Sequence, residues 1–131
     1  MTAPHIHTLP KKERLNSRLL IEKLFSGGGK SLPAYPLRIV YMPIEEESRP
    51  TASILISVPK KRFKRAVKRN RVKRQIREAY RKHKDMLLDT LNASGKKAII
   101  AFIWLDNNLH SSQEVEEKVK HLLQLTSERL V

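Results

Sequence analysis

The chain has 131 residues and a net charge of +14, enough length for one domain with a core of its own. It contains no cysteine, which excludes disulfides and thiolate metal sites and suits a reducing cytoplasm. The N-terminus lacks the basic-then-apolar order of a signal peptide, and the longest apolar run, Ala98–Leu105, is too short to cross a bilayer, so no membrane partner is expected.

Residues 1–13 are polar, contain Pro4 and Pro10, and read as a flexible tail ahead of a single domain over 14–131. A short helix follows over about 16–25. Leu20, Ile21, Leu24 and Phe25 share one face, and Asn16 or Ser17 is placed to cap it. Gly27-Gly28-Gly29 reads as the stop of that helix, because neither a preceding strand nor a following Lys-Ser/Thr marks a phosphate loop. Leu37–Met42 alternates as a strand, with Leu37, Ile39 and Tyr41 on one face and Arg38, Val40 and Met42 on the other. Glu45–Pro50 is a loop. Ala52–Val58 is a second strand, ended by Pro59, and the two strands are expected to pair antiparallel.

The longest element is a helix over about 66–91, with Val72, Ile76, Ala79, Tyr80, His83 and Leu87 as its apolar stripe. Asn70, Arg74, Arg77 and Arg81 recur on the opposite side, and Asn92–Gly95 closes the helix. Ala98–Leu105 is apolar at every position, as in a strand covered on both faces. After an Asp106–Asn108 turn, Ser111 and Glu114 form a capping box for a last helix carrying Val115, Val119, Leu122, Leu123 and Leu130. The order α-β-β-α-β-α makes an α/β (α+β) two-layer sandwich around a small central sheet, with room for a further short strand between residues 30 and 36.

The charge is concentrated in one place. Residues 60–84 hold 14 of the 27 Lys and Arg and one acid, Glu78, so 14 less 1 leaves +13 there and +1 in the rest of the chain. A solvated helix face mixes signs; a single basic element on an otherwise balanced domain is the footprint of a polyanion binder. The placement adds to this. Lys64, Arg65, Lys68, Arg69, Arg71, Lys73 and Arg74 crowd a helix start where the macrodipole is already positive, which opposes folding and calls for an anionic partner. Arginines there can fork hydrogen bonds onto phosphate.

Unpaired bases need flat apolar groups, and the candidates are Phe25, Tyr41, Phe63 and Tyr80; Phe25, Tyr80, Phe102 and Trp104 also read as core. No catalytic constellation appears. His5, His7, His83, His110 and His121 lack a metal-ligand pattern. Glu45-Glu46-Glu47 is a loop run, and Asp85 and Asp89 are surface carboxylates one turn apart. No protein-bound cofactor or metal is expected.

Ser57-Val58-Pro59-Lys60-Lys61, followed by Lys68-Arg69-Asn70-Arg71-Val72-Lys73-Arg74-Gln75-Ile76-Arg77-Glu78-Ala79-Tyr80-Arg81, resembles the signature of the bacterial ribonuclease P protein family. Arg14-Leu15 and Leu24-Phe25 resemble the family's first helix region, so the resemblance covers essentially the whole chain. It implies a left-handed β-α-β crossover, where the general rule is right-handed. It also implies a non-catalytic protein subunit beside a catalytic RNA that uses Mg2+ and removes the 5′ leader of precursor tRNA. By motif position, Lys60, Lys61, Arg65, Lys68, Arg69, Asn70, Arg71, Lys73, Arg74 and Arg77 would face RNA. Ile21, Phe25 and Tyr41 would line a cleft for the single-stranded leader. The chain departs from the pattern at Ile21, where many relatives carry an aromatic, and at Pro59 and Phe63, where many have small residues. Without the motif, charge and periodicity fit a ribosomal or assembly factor equally well, or a DNA-binding regulator using the basic helix in a major groove.

Overall fold

Alternating strands and two long amphipathic helices must bury their apolar sides against one another. The computed structural model, which describes residues 14–15, 17–45 and 49–130, shows how they do so. Helix α1 spans Arg18–Lys23, capped by Ser17, whose Oγ accepts from the Leu20 amide at 3.4 Å. It runs into one wide turn, Leu24–Gly28, which Gly27 leaves at φ +105°. The glycines therefore do end the helix. Gly28 and Gly29 also press against it: a Cβ at either would lie 2.6 Å from the Lys23 or Leu24 carbonyl oxygen.

Four strands follow as one sheet: β1 (Lys30–Ala34), β2 (Leu37–Ile44), β3 (Ala52–Ser57) and, after helix α2 (Ala66–Ser94), β4 (Lys97–Trp104). Helix α3 (Ser112–Arg129) closes the chain. The strand order is β1-β2-β4-β3, with β1 and β4 both antiparallel to β2 and β3 parallel to β4. The expected direct pairing of the second and third strands is thus replaced: β4 inserts between β2 and β3, and β3-α2-β4 is a crossover between parallel neighbours. β1 is the extra strand for which the sequence left room. As an outer strand it tolerates Pro33, which has no amide proton to give. The other outer strand, β3, is met by Arg14–Leu15, and the Leu15 amide donates to the Ile54 carbonyl at 2.6 Å.

The sheet has two different faces. Leu37, Ile39, Tyr41, Ile54, Ile100, Phe102 and Trp104 pack with Val72, Ile76, Tyr80, Leu87 and the apolar side of α3 in the main core. On the far face, Leu15, Leu20 and Leu24 cover Val40, Met42, Ile99 and Ala101, with Ile21 half-buried beside them. Over Ala98–Phe102, β4 is therefore covered on both sides, which is why its sequence is apolar from Ala98 onward. Tyr41 belongs to the main core, 3% exposed. That corrects its assignment to the leader cleft: strand alternation turns it away from α1. The tail over 1–13, the cap at Asn16 and the carboxylates of Glu46 and Glu47 lie outside the described residues.

Candidate nucleic-acid interface

Helix α2 begins on a poor footing. Its cap, Arg65, has extended backbone and no side-chain acceptor, and its first turn holds no acid. Lys60, Lys61, Lys64, Arg65, Lys68, Asn70, Arg71 and Arg74 are all exposed, while Arg69, Lys73 and Arg77 are half-buried. The buried side consists of Val72, Gln75, Ile76, Ala79 and Tyr80, and further on Lys84, Leu87, Leu88 and Leu91. Phe63 is 6% exposed and belongs to the main core, so it anchors the loop before α2 and offers no stacking face.

The cations do not form the single outer face that their spacing suggests. Lys73 and Arg77 lie on the β3 flank. There, with Arg14, Leu15, Ile54, Leu55 and Ile56, they line a groove of about 170 Å3. Among the described residues, the side chains of Arg14, Lys73 and Arg77 make no hydrogen bond or ion pair, and no acid lines the groove. Arg74 instead lines a groove on the α3 flank with Gln75, Glu78, Lys82, Ser112 and Glu116. Arg81 is taken by Glu78, held by a short contact and by a second bond of 3.1 Å from Nε, which pulls the Glu78 carboxyl below its usual range.

The far sheet face is only half covered by α1. One register step beyond Val40 and Ala101, the row Pro33, Arg38, Ile103 and Ser57 crosses all four strands. Arg38 is exposed, with Nε donating to Ser31 Oγ at 2.6 Å, and Ile103 and Ser57 are half-buried. Phe25, 47% exposed, stands on the wide turn after α1. Of the expected cleft residues, Ile21 and Phe25 are on the α1 side of the sheet and Tyr41 is not.

Arg14 and Arg38 were missed as site residues by sequence reasoning. Arg38 carried a signal: it is the one charge in an otherwise apolar strand. Arg14 carried none beyond its motif, since only the Leu15–Ile54 bond brings it to the groove.

Behind α2, Gln75 Nε2 donates to the His110 carbonyl at 3.0 Å and to Ser112 Oγ at 3.1 Å, tying α2 to the start of α3. His110 bonds Asp106 through Nε2 at 2.6 Å and Glu114 through Nδ1 at 3.0 Å. The two carboxylates engage opposite ring nitrogens and do not converge on a point. No group of three or more His, Cys, Asp or Glu among the described residues is arranged to hold a metal ion, and no helix there is long and apolar enough to cross a membrane.

These features define a class: a small α/β domain with a cationic groove along one sheet edge and a half-open sheet face beside it. The family model described as Ribonuclease P matches residues 9–126, and the chain belongs to that family. It is 46% identical over 123 residues to the ribonuclease P protein component of Porphyromonas gingivalis, covering 94% of this chain and 89% of that one. It is 32% identical over 134 residues to that of Chlorobaculum tepidum, covering 95% and 86%. The fold matches the structure of the Staphylococcus aureus RNase P protein with a TM-score of 0.68 at 21% identity, over 87% of this chain and 94% of that one. It also matches the RNase P protein from Thermotoga maritima, with a TM-score of 0.68 at 24% identity over 86% and 96%.

Proposed function

We propose that this chain is the protein subunit of a ribonuclease P ribonucleoprotein. In this role it binds the catalytic RNA and the single-stranded 5′ leader of precursor tRNA, and so promotes endonucleolytic release of the leader. The observation that carries the reading is the groove beside β3. Three cations with no partner among the described residues, Arg14, Lys73 and Arg77, stand over apolar Leu15, Ile54, Leu55 and Ile56. A single strand presents this combination in reverse: phosphates for the cations and base faces for the apolar floor. A paired helix would bury its bases and leave the floor unused.

The role is one of binding and placement. Arg14, Lys73 and Arg77 hold leader phosphates, Ile21 and Phe25 border the path of the leader, and Lys60, Lys61, Arg65, Lys68, Asn70, Arg71 and Arg74 face RNA from the exposed start of α2. Hydrolysis belongs to the RNA with its magnesium; this chain supplies neither a catalytic residue nor a metal ligand. A reducing cytoplasm is the compartment that goes with this role.

The test is cleavage of precursor tRNA by a bacterial ribonuclease P RNA at low magnesium, with and without the chain. Added protein should raise the cleavage rate, and it should bind leader-bearing precursor more tightly than mature tRNA or duplex DNA. No stimulation of an RNA that is active at high magnesium would end the proposal.

A further inference from the structure

Arg69 sits inside the basic motif, yet its guanidinium turns back into the protein. Nη1 donates to the carbonyl of Phe63 and to that of Lys64, each at 2.8 Å. Those carbonyls belong to the loop Pro59–Arg65, which holds five cations in seven residues: Lys60, Lys61, Arg62, Lys64 and Arg65. Like charges on a short loop drive one another apart, so this segment needs a restraint.

The other restraints on this loop are few. Phe63 is sunk in the main core. The Arg62 amide closes a turn on the Pro59 carbonyl at 3.0 Å. The Arg62 side chain reaches Asn107 Oδ1 at 3.4 Å, a long bond. The cap of α2 contributes no side-chain bond at all. Arg69 supplies the charge-assisted bonds that fix the loop's last carbonyls against the first turn of α2.

We infer that Arg69 is a positioning residue: it acts on RNA through Lys60, Lys61 and Lys64, whose loop it holds in place, more than through a phosphate of its own. The inference rests on the RNA-binding reading above. It differs from that reading in what Arg69→Lys should do. Lysine keeps the charge, but its ammonium ends one atom short of the position of Nη1, from which both bonds are given, so it serves as a phosphate contact and falls short of the two carbonyls.

The experiment measures the affinity of the full chain for a bacterial ribonuclease P RNA with leader-bearing precursor tRNA across a salt series. The proteins are wild type, Arg69→Ala, Arg69→Lys, the triple variant K60Q/K61Q/K64Q, and the triple combined with Arg69→Ala. Loss of three single-strand phosphate contacts flattens the log–log salt slope by about 2, and loss of one by about 0.7. Both single variants should approach the triple's slope, and Arg69→Ala should add less than about twofold on the triple background, the mark of coupled sites. Amide exchange over residues 60–66 should quicken in both single variants while that of Val72–Leu91 stays unchanged. If Arg69→Ala fails to fold, Arg69→Lys carries the comparison.

A wild-type slope for Arg69→Lys, with a loss of about 0.7 for Arg69→Ala that persists on the triple background, overturns the inference and makes Arg69 a direct contact. A triple variant that binds like wild type overturns it too. A flat slope for the wild type would instead remove the RNA-binding reading, and loop exchange would still decide whether Arg69 is the clamp.

Discussion

His110 holds one carboxylate on each ring nitrogen and packs edge-on against Trp104, with ring centroids 5.4 Å apart. The ring's bond to Asp106, and then that to Glu114, raise the His110 pKa above its ordinary 6.5. The same ring, more than any other neighbour, lowers Asp106 from 3.8 to about 2. The signs set a window. A raised histidine stabilises fully below 6.5, and its contribution is lost as pH climbs through the raised value. A lowered carboxyl stabilises above 3.8, and its contribution is lost as pH falls through about 2. The corner between β4 and α3 should therefore be firmest between about pH 4 and 6.5. Urea midpoints measured against pH should decline on both sides of that window in the wild type. His110→Ala should flatten the profile and cost about 1–2 kcal/mol within it. Identical pH profiles for the two proteins would show that the pairs contribute nothing net.

Among the elements, the helix ends are where single residues carry the most. Ser111 Oγ accepts from the Glu114 amide at 3.2 Å, and Gly95 closes α2 at φ +69°, with the Lys96 amide returning to the Leu91 carbonyl at 3.0 Å. Ser111→Ala and Gly95→Ala should each lower unfolding stability by about 1 kcal/mol, read from denaturant midpoints. Those ends were legible in the sequence because capping is local chemistry. The apolar stripe of α2 and the two-sided burial of β4 were legible because periodicity reports burial. β1 was only glimpsed, since Pro33 and the polar Lys30 and Ser31 give no strand signal. Strand alternation put Leu37, Ile39 and Tyr41 together correctly, but parity does not say which face meets α1, and the resemblance that placed Tyr41 in the cleft did not supply it; Tyr41 lies in the main core. The same limit applies to the cations. Spacing separates the core of α2 from its surface, but only the packed neighbours divide Lys73 and Arg77 on the β3 flank from Arg74 on the α3 flank.

Across the molecule, an excess of +13 out of +14 lies in 25 residues at and beside one helix start. Binding driven by that charge releases counterions, and about five neutralised phosphates on single strands give a log–log salt slope near −3.5. Replacing Lys73 and Arg77 together with glutamine should flatten the slope by about 1.4 and weaken leader binding while leaving the thermal midpoint within a few degrees. A variant that unfolds instead would place these side chains in the architecture and not at the interface. The flanks of the sheet bear on a different hazard. Unclaimed strand edges are templates on which one sheet grows onto the next, the route by which folded chains aggregate. Here Arg14–Leu15 sits against one outer strand and Pro33 interrupts the donor row of the other. Mutual repulsion between copies acts in the same direction, so both geometry and charge oppose fibre-like growth when the chain is made in excess of its RNA.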